Sequence, residues 1–223
     1  MDRATDLIER VLINPGSHDV GHLANELLSE YYDGSDISTL RDLLHSEDGR
    51  IVAFGIWIAA ELAQVAKTLL PDVMRLLRHP LKDVRFLAID CVLLWAGRSS
   101  GDVVASTVTL LDDPEEAVRW KAMGFLARAP HDQLQAAVAS LTHANPASPY
   151  LEDLKWILAV EGADADEITF ALHGPSAVRR KVAAAAAVRV VRNNSEPLRQ
   201  AESSRDPEVA QFARDMLECI SVV

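Results

Sequence analysis

Cysteine occurs only at Cys91 and Cys219, far apart and each inside an apolar helical pattern. That excludes a disulfide framework and points to two buried thiols in a reducing compartment. Basic charge is also in deficit, with 22 Lys and Arg against 33 Asp and Glu, a net charge of -11. Such a chain repels phosphate backbones, which disfavours nucleic acid as a partner, and attracts basic protein surfaces. Long apolar runs are missing: the longest, Ile51 to Ala60, stops at Glu61, well short of the roughly 20 residues that span a bilayer. The start, Met1-Asp2-Arg3-Ala4-Thr5-Asp6, has no basic segment leading into an apolar core, so no secretion leader is expected. These gaps together predict a soluble cytoplasmic protein without a membrane partner. Glycine-rich phosphate loops, paired cysteines and Ser or Cys nucleophile motifs are absent as well. No catalytic residue, cofactor or metal is therefore assigned. His18 and His22 share a helix face around Asp19, but no third ligand accompanies them.

What the chain does have is a recurring phrase. Leu76-Leu77-Arg78-His79-Pro80 leads to Val84-Arg85 and Ala88, Leu110-Leu111-Asp112-Asp113-Pro114 to Val118-Arg119 and Ala122, and Leu172-His173-Gly174-Pro175 to Val178-Arg179 and Val182. Related anchor positions fall at Val20, Ile51 and Val209, each followed four residues on by Ala24, Gly55 or Ala213. An i, i+4 pair with a small second member shares one helix face and lets a neighbouring helix approach closely. Before every anchor stands a breaker: Asn14-Pro15-Gly16, Asp48-Gly49, His79-Pro80, Asp113-Pro114, Gly174-Pro175 or Asp206-Pro207. Proline near a first helical turn loses no needed hydrogen bond, and the polar residue ahead of it can cap orphan amides. Each unit thus reads as helix, turn, helix, and a unit recurring every 31 to 34 residues predicts a stack of such units. Residues 1–223 are expected to form one domain of about fourteen helices in seven pairs. The stretch 145–171, broken by Pro146 and Pro149, holds a degenerate repeat.

The phrase from Leu110 to Ala122 resembles the HEAT repeat family of α-solenoids. The likeness is strong over 69–128, fair over 172–219 and weak over 1–50 and 145–171. It implies an all-α, right-handed α-α superhelix and a habit of binding, without naming a ligand. It also implies a ladder of hydrogen bonds between repeats through Asp113 and Arg119, with Arg179 in the corresponding place later on. His79 stands where the Asp belongs and Ala210 where the last Arg belongs.

In stacked helix pairs the second helices line the concave side, and positions two, three and six after the anchor face outward. That set reads Ala53, Phe54 and Trp57; Phe86, Leu87 and Asp90; Trp120, Lys121 and Gly124; Arg180, Lys181 and Ala184. The expected site is an exposed aromatic stripe of Trp57, Phe86 and Trp120, with Asp90, Lys121 and Arg180 setting register. Trp95 and Trp156 are expected in the core. A basic cluster, Arg179, Arg180, Lys181, Arg189, Arg192 and Arg199, offers a docking place for an acidic segment or a phosphate. The leading expectation is a non-catalytic scaffold holding another protein, a basic one on charge grounds, as adaptor or inhibitor. One version is an immunity protein that neutralises a basic bacterial toxin. Enzymes with similar repeats, DNA glycosylases and bilin lyases, are the alternatives; the acidic charge and the lack of a catalytic motif count against both.

Overall fold

A computed structural model describes residues 3–14, 20–160 and 165–221. Contacts divide the chain into two units, Met1–Ala96 and Gly97–Val223. The first unit holds three helix pairs: α1 (Arg3–Ile13) with α2 (Val20–Tyr32), α3 (Arg41–Leu44) with α4 (Gly49–Glu61), and α5 (Leu70–Leu76) with α6 (Lys82–Trp95). The second holds four: α7 (Gly101–Val108) with α8 (Glu116–Arg128), α9 (His131–Ala144) with α10 (Leu151–Val160), α11 (Ala165–Leu172) with α12 (Ala177–Val190), and α13 (Glu196–Glu202) with α14 (Pro207–Ser221). Fourteen α-helices and no strand are thus present among the described residues, and short 3₁₀ segments lead into α3 and α5 and out of α7.

Four of the turns before the second helices share one cap. Asp48, Asp113 and Asp206 each accept, through Oδ1, the amide two residues on, at 2.8, 2.9 and 3.2 Å. This meets an orphan donor at the helix start and places a carboxylate at the positive end of the helix. His79 takes the same role with its ring, its Nδ1 accepting from the Leu81 amide at 3.2 Å. The imidazole is therefore a working replacement for the repeat's aspartate.

A second device ties the helix back to its turn. Nη1 of Arg85 donates to the carbonyls of His79 and Pro80 at 2.7 and 3.0 Å. Nη1 of Arg119 does the same to Asp113 and Pro114 at 2.6 and 2.9 Å. In the third turn the arginine is Arg180, bonded to Gly174 and Pro175 at 3.0 Å each. The sequence had given this place to Arg179. What fixes it is the five-residue reach from proline to arginine, constant in all three turns, and not the Val-Arg pair, which slips by one residue after Pro175. Arg179 instead pairs with Asp153 at 2.6 Å and lies over the Trp156 ring, 4.8 Å from its centroid. Links between pairs do exist: Arg180 reaches Asp206 at 2.9 Å, and Arg119 forms an ion pair with Glu208.

The anchors Ile51, Val84, Val118 and Val209 are buried, as are Gly55, Ala88, Ala122, Val182 and Ala213 four residues after an anchor, while Val178 is half-buried for the reason just given. In the second unit α12 is central, packing against α8, α10, α11, α13 and α14. On the middle of this helix, contacted from so many sides, five consecutive alanines, Ala183 to Ala187, are fully buried. Their small side chains let the surrounding helices approach from every direction. Lys181 is drawn in with them, donating to the Leu111 carbonyl at 2.7 Å and lying 3.5 Å from Glu208. Of the two thiols, Cys91 is buried as expected, and burial pushes its pKa up. Cys219 is exposed, correcting the expectation. It lies in the last turn of α14, where Glu218 and Ile220 are exposed on either side.

Two outcomes follow from these contacts. At Gly101 an added Cβ would run into the Ala136 carbonyl and stand 2.9 Å from Ser140 Cβ, where α7 meets α9. Gly101→Ala should lower unfolding free energy by about 1–3 kcal/mol, read as a lower urea midpoint at unchanged slope, because a backbone wall must move. His79 is held below its ordinary value of 6.5, by burial first and then by Arg85 and Arg75. Its neutral ring is the folded form, so stability is intact above 6.5 and falls as pH drops below that value toward the depressed folded pKa. His79→Asn, which keeps an acceptor for the Leu81 amide, should remove this part of the acid sensitivity in urea titrations from neutral to acid pH.

Candidate functional site

In the first unit the second helices α2, α4 and α6 pack in order, α2 against α4 and α4 against α6. The end of α4 is fastened to both neighbours. Tyr32 Oη donates to the Glu61 carbonyl at 3.0 Å, and the Trp95 indole N–H donates to the Ala63 carbonyl at 2.5 Å. Ala63 stops the helix in the left-handed region, with φ at 46°, a conformation that costs an L-residue about 1–2 kcal/mol. The hydrogen bond from fully buried Trp95 offsets part of that cost. Gln64 Nε2 adds a bond to the Leu94 carbonyl at 2.6 Å. Trp95 is thus a core residue, as the sequence indicated.

This fastening presents an apolar surface along α4 and α6. Trp57, six residues after the Ile51 anchor, is 37% exposed, and Phe54 one turn earlier is half-buried. On α6, Phe86, Leu87 and Asp90 are half-buried and Leu94 is 43% exposed. Leu94 was outside the sequence expectation, although it falls one turn after Asp90 on the same face. Carboxylates occupy matching register positions on these helices. The sixth residues after the anchors of α2, α4 and α6 are Glu26, Trp57 and Asp90, and Glu61 follows Trp57 by one turn. Glu26 already holds a guanidinium, from Arg3 at 3.2 Å, with Glu30 3.3 Å from the same arginine. His22 Nε2 lies 2.8 Å from Glu26. Its expected companion His18 lies outside the described residues. Among the described residues no group of three His, Cys, Asp or Glu is placed to hold a metal, and no helix is long and apolar enough to cross a membrane.

The other three expected site residues lie in the second unit, in different surroundings. Trp120 is half-buried, edge-on to Phe212 with centroids 5.9 Å apart, and its indole N–H donates to Asp215 Oδ2 at 2.8 Å. Lys121 is buried, contrary to the outward position the sequence rule gave it, and so are Gly124, Lys181 and Ala184. The reason is the packing of α12 and α14 against α8, which covers the face that would otherwise open to water. Arg180 is held by its turn carbonyls and by Asp206, with the two side chains of the pair only 15% and 10% exposed. Breaking a pair this buried costs about 3 kcal/mol or more, so Arg180 works inside the fold. Trp156, expected in the core, is half-buried under Arg179 and donates to Glu167 Oε1 at 2.7 Å.

No family model matches the chain, and no curated protein matches it. Among solved structures it is similar to an engineered protein seen by crystallography, at 18% identity and a TM-score of 0.50, with 100% of this chain and 98% of that one covered. It is also similar to a designed armadillo repeat protein in complex with the peptide (KR)4, at 18% identity and a TM-score of 0.49, covering 97% and 98% of the two chains. At such identity likeness speaks to fold alone. The fold is an all-α array of successive helix pairs.

Proposed function

We propose that this chain is a non-catalytic scaffold that binds a protein partner on the α4–α6 surface of its first unit. The observation that carries this reading is Trp57, a large aromatic 37% exposed on α4, a helix that packs against α6, where Leu94 is 43% exposed, and that is fastened to it by hydrogen bonds. Burying an indole and its apolar neighbours against a partner provides most of the free energy in a typical hot spot, and a fixed surface loses little entropy on binding. Glu61, one turn after Trp57 on α4, and Asp90, at the corresponding register position of α6, favour a partner segment that is both apolar and basic. A Lys or Arg side chain would lay its stem on Trp57 and meet a carboxylate with its head. The net charge of -11 acts in the same direction by steering basic partners toward the chain. An inhibitor of a basic protein, of which an immunity protein is one case, fits this chemistry. The adaptor role needs a second partner surface.

The reading is tested with Trp57→Ala combined with Phe86→Ala. A partner captured from native extract, identified and purified, should bind the wild-type chain directly and the double variant at least about tenfold more weakly. Circular dichroism and melting should show the variant folded. A purified partner that binds both proteins equally would overturn the site, and a chain that captures no direct partner would overturn the function.

A further inference from the structure

Arg179, Arg180 and Lys181 of the α12 basic cluster face Asp153, Asp206 and Glu208 and belong to the packing of the second unit. A cationic surface stands instead in the first unit, against its own trend of charge. Residues 1–66 hold twelve acids and four bases, whereas 67–82 hold Lys67, Arg75, Arg78 and Lys82 against Asp72 alone. That carboxylate is already committed: Asp72 accepts from Arg41 Nε at 3.0 Å and lies 2.8 Å from His45 Nε2.

The reversal of sign coincides with the outer side of a helix. A 3₁₀ segment, Ala63–Leu69, runs directly into α5. Leu69, Val73 and Leu76 are buried, whereas Lys67, Met74 and Arg78 are exposed. Met74 and Arg78 are four residues apart, the spacing that puts two side chains on one side of a helix. Leu81 and Lys82, where the chain enters α6, are exposed as well. Parts of this surface are fixed in place. Leu81 lies against the start of α4, since a Cβ on Gly49 would stand 2.6 Å from its Cδ1. Arg75 Nη2 donates to the Leu44 carbonyl at 2.5 Å. Among the described residues the side chains of Lys67, Arg78 and Lys82 make no hydrogen bond or ion pair.

A simpler role for surface cations is solubility, which scattered charge serves equally well and which does not call for exposed Met and Leu side chains in the same stretch. The occupant is chosen by the range of the field. An anionic bilayer or a duplex extends far beyond the screening length of about 8 Å at physiological ionic strength. Such a surface meets the rest of a chain whose net charge is -11. A short anionic segment meets the local positive charge alone.

We propose that the outer side of α5, continued by Leu81 and Lys82, docks an acidic and apolar segment of a protein partner. The apolar side chains of the segment lie on Met74 and Leu81, and its carboxylates meet Lys67, Arg78 and Lys82. An unbranched thioether adapts its shape to what covers it, and exposed charge pairs set approach and orientation more than affinity. This surface is distinct from the α4–α6 surface and does not depend on it. The two together supply what an adaptor requires.

The test is calorimetric titration of the full chain with a synthetic peptide of Glu-Glu-Leu repeats, with Gln-Gln-Leu repeats as the uncharged control. Saturable binding of the acidic peptide is expected, weakened by added salt, with no binding of the control. Combined Lys67→Ala, Arg78→Ala and Lys82→Ala should weaken it about tenfold or more at an unchanged melting temperature. Met74→Ser should weaken it as well, which a purely ionic contact would not show. Combined Arg98→Ala, Arg199→Ala and Arg205→Ala, which removes the same charge from exposed positions of the second unit, should leave binding unchanged, and so should Trp57→Ala with Phe86→Ala. Absence of saturable binding, equal binding of the control peptide, or equal effects of the two triple variants would each overturn the proposal. Binding to phosphatidylserine vesicles that is lost in the first triple variant would overturn it in favour of a membrane surface.

Discussion

An arginine that reaches back to the carbonyls of its own turn holds each well-formed repeat together. The carbonyls before a helix begin outside its hydrogen-bond ladder, and a proline among them removes a donor that would otherwise help satisfy the turn. Arg85, Arg119 and Arg180 answer this with one nitrogen that donates to two oxygens. Each guanidinium thereby fixes the angle at which its helix leaves the turn. Two of the three then extend an ion pair to Glu208 or Asp206 in the last helix pair. Local turn geometry and the stacking of pairs are thus governed by the same side chain.

The two units use this device toward different ends. In the first, α4 and α6 are locked at their C-terminal ends by Tyr32, Trp95 and Gln64, and the face between those locks and the turns keeps an indole in water. In the second, α8, α12 and α14 pack on one another, and residues that repeat logic would expose are buried. A buried Lys181 is tolerable there because a carbonyl and a carboxylate both face it. Lys121 and Lys181 are thus buried in the second unit and Trp120 half-buried, where repeat logic would expose all three.

Much of the fold could be read from the residues because the rules concerned are local. A breaker, an anchor and a small residue four positions later describe one helix and its nearest neighbour, and Ile51 with Gly55 or Val118 with Ala122 behaves accordingly. The placement of Trp120 could not be read this way. Whether its face is open depends on α14, nearly a hundred residues away, whose Phe212 and Asp215 receive the indole. The same holds for Lys121 and Ala184, which are covered because α8 and α12 meet although a whole pair, α9 and α10, separates them in sequence. Arg179 marks a smaller departure, because the turn carbonyls set by Pro175, and not the Val-Arg pair, choose the arginine. On α4 and α6, sequential neighbours, Trp57 is 37% exposed while Phe86 and Asp90, expected to face outward, are half-buried. The start of α12 is legible only as a run of basic residues, with no signal that Arg179, Arg180 and Lys181 are engaged by Asp153, Asp206 and Glu208.

Amide hydrogen exchange on Arg85→Lys tests the arginine tie most directly, since lysine keeps the charge and loses the fork that reaches both carbonyls. The account predicts faster exchange confined to the turn after α5 and the first turns of α6, with the helices of the second unit unchanged. Unchanged protection in that turn, or an increase spread evenly over both units, would contradict it.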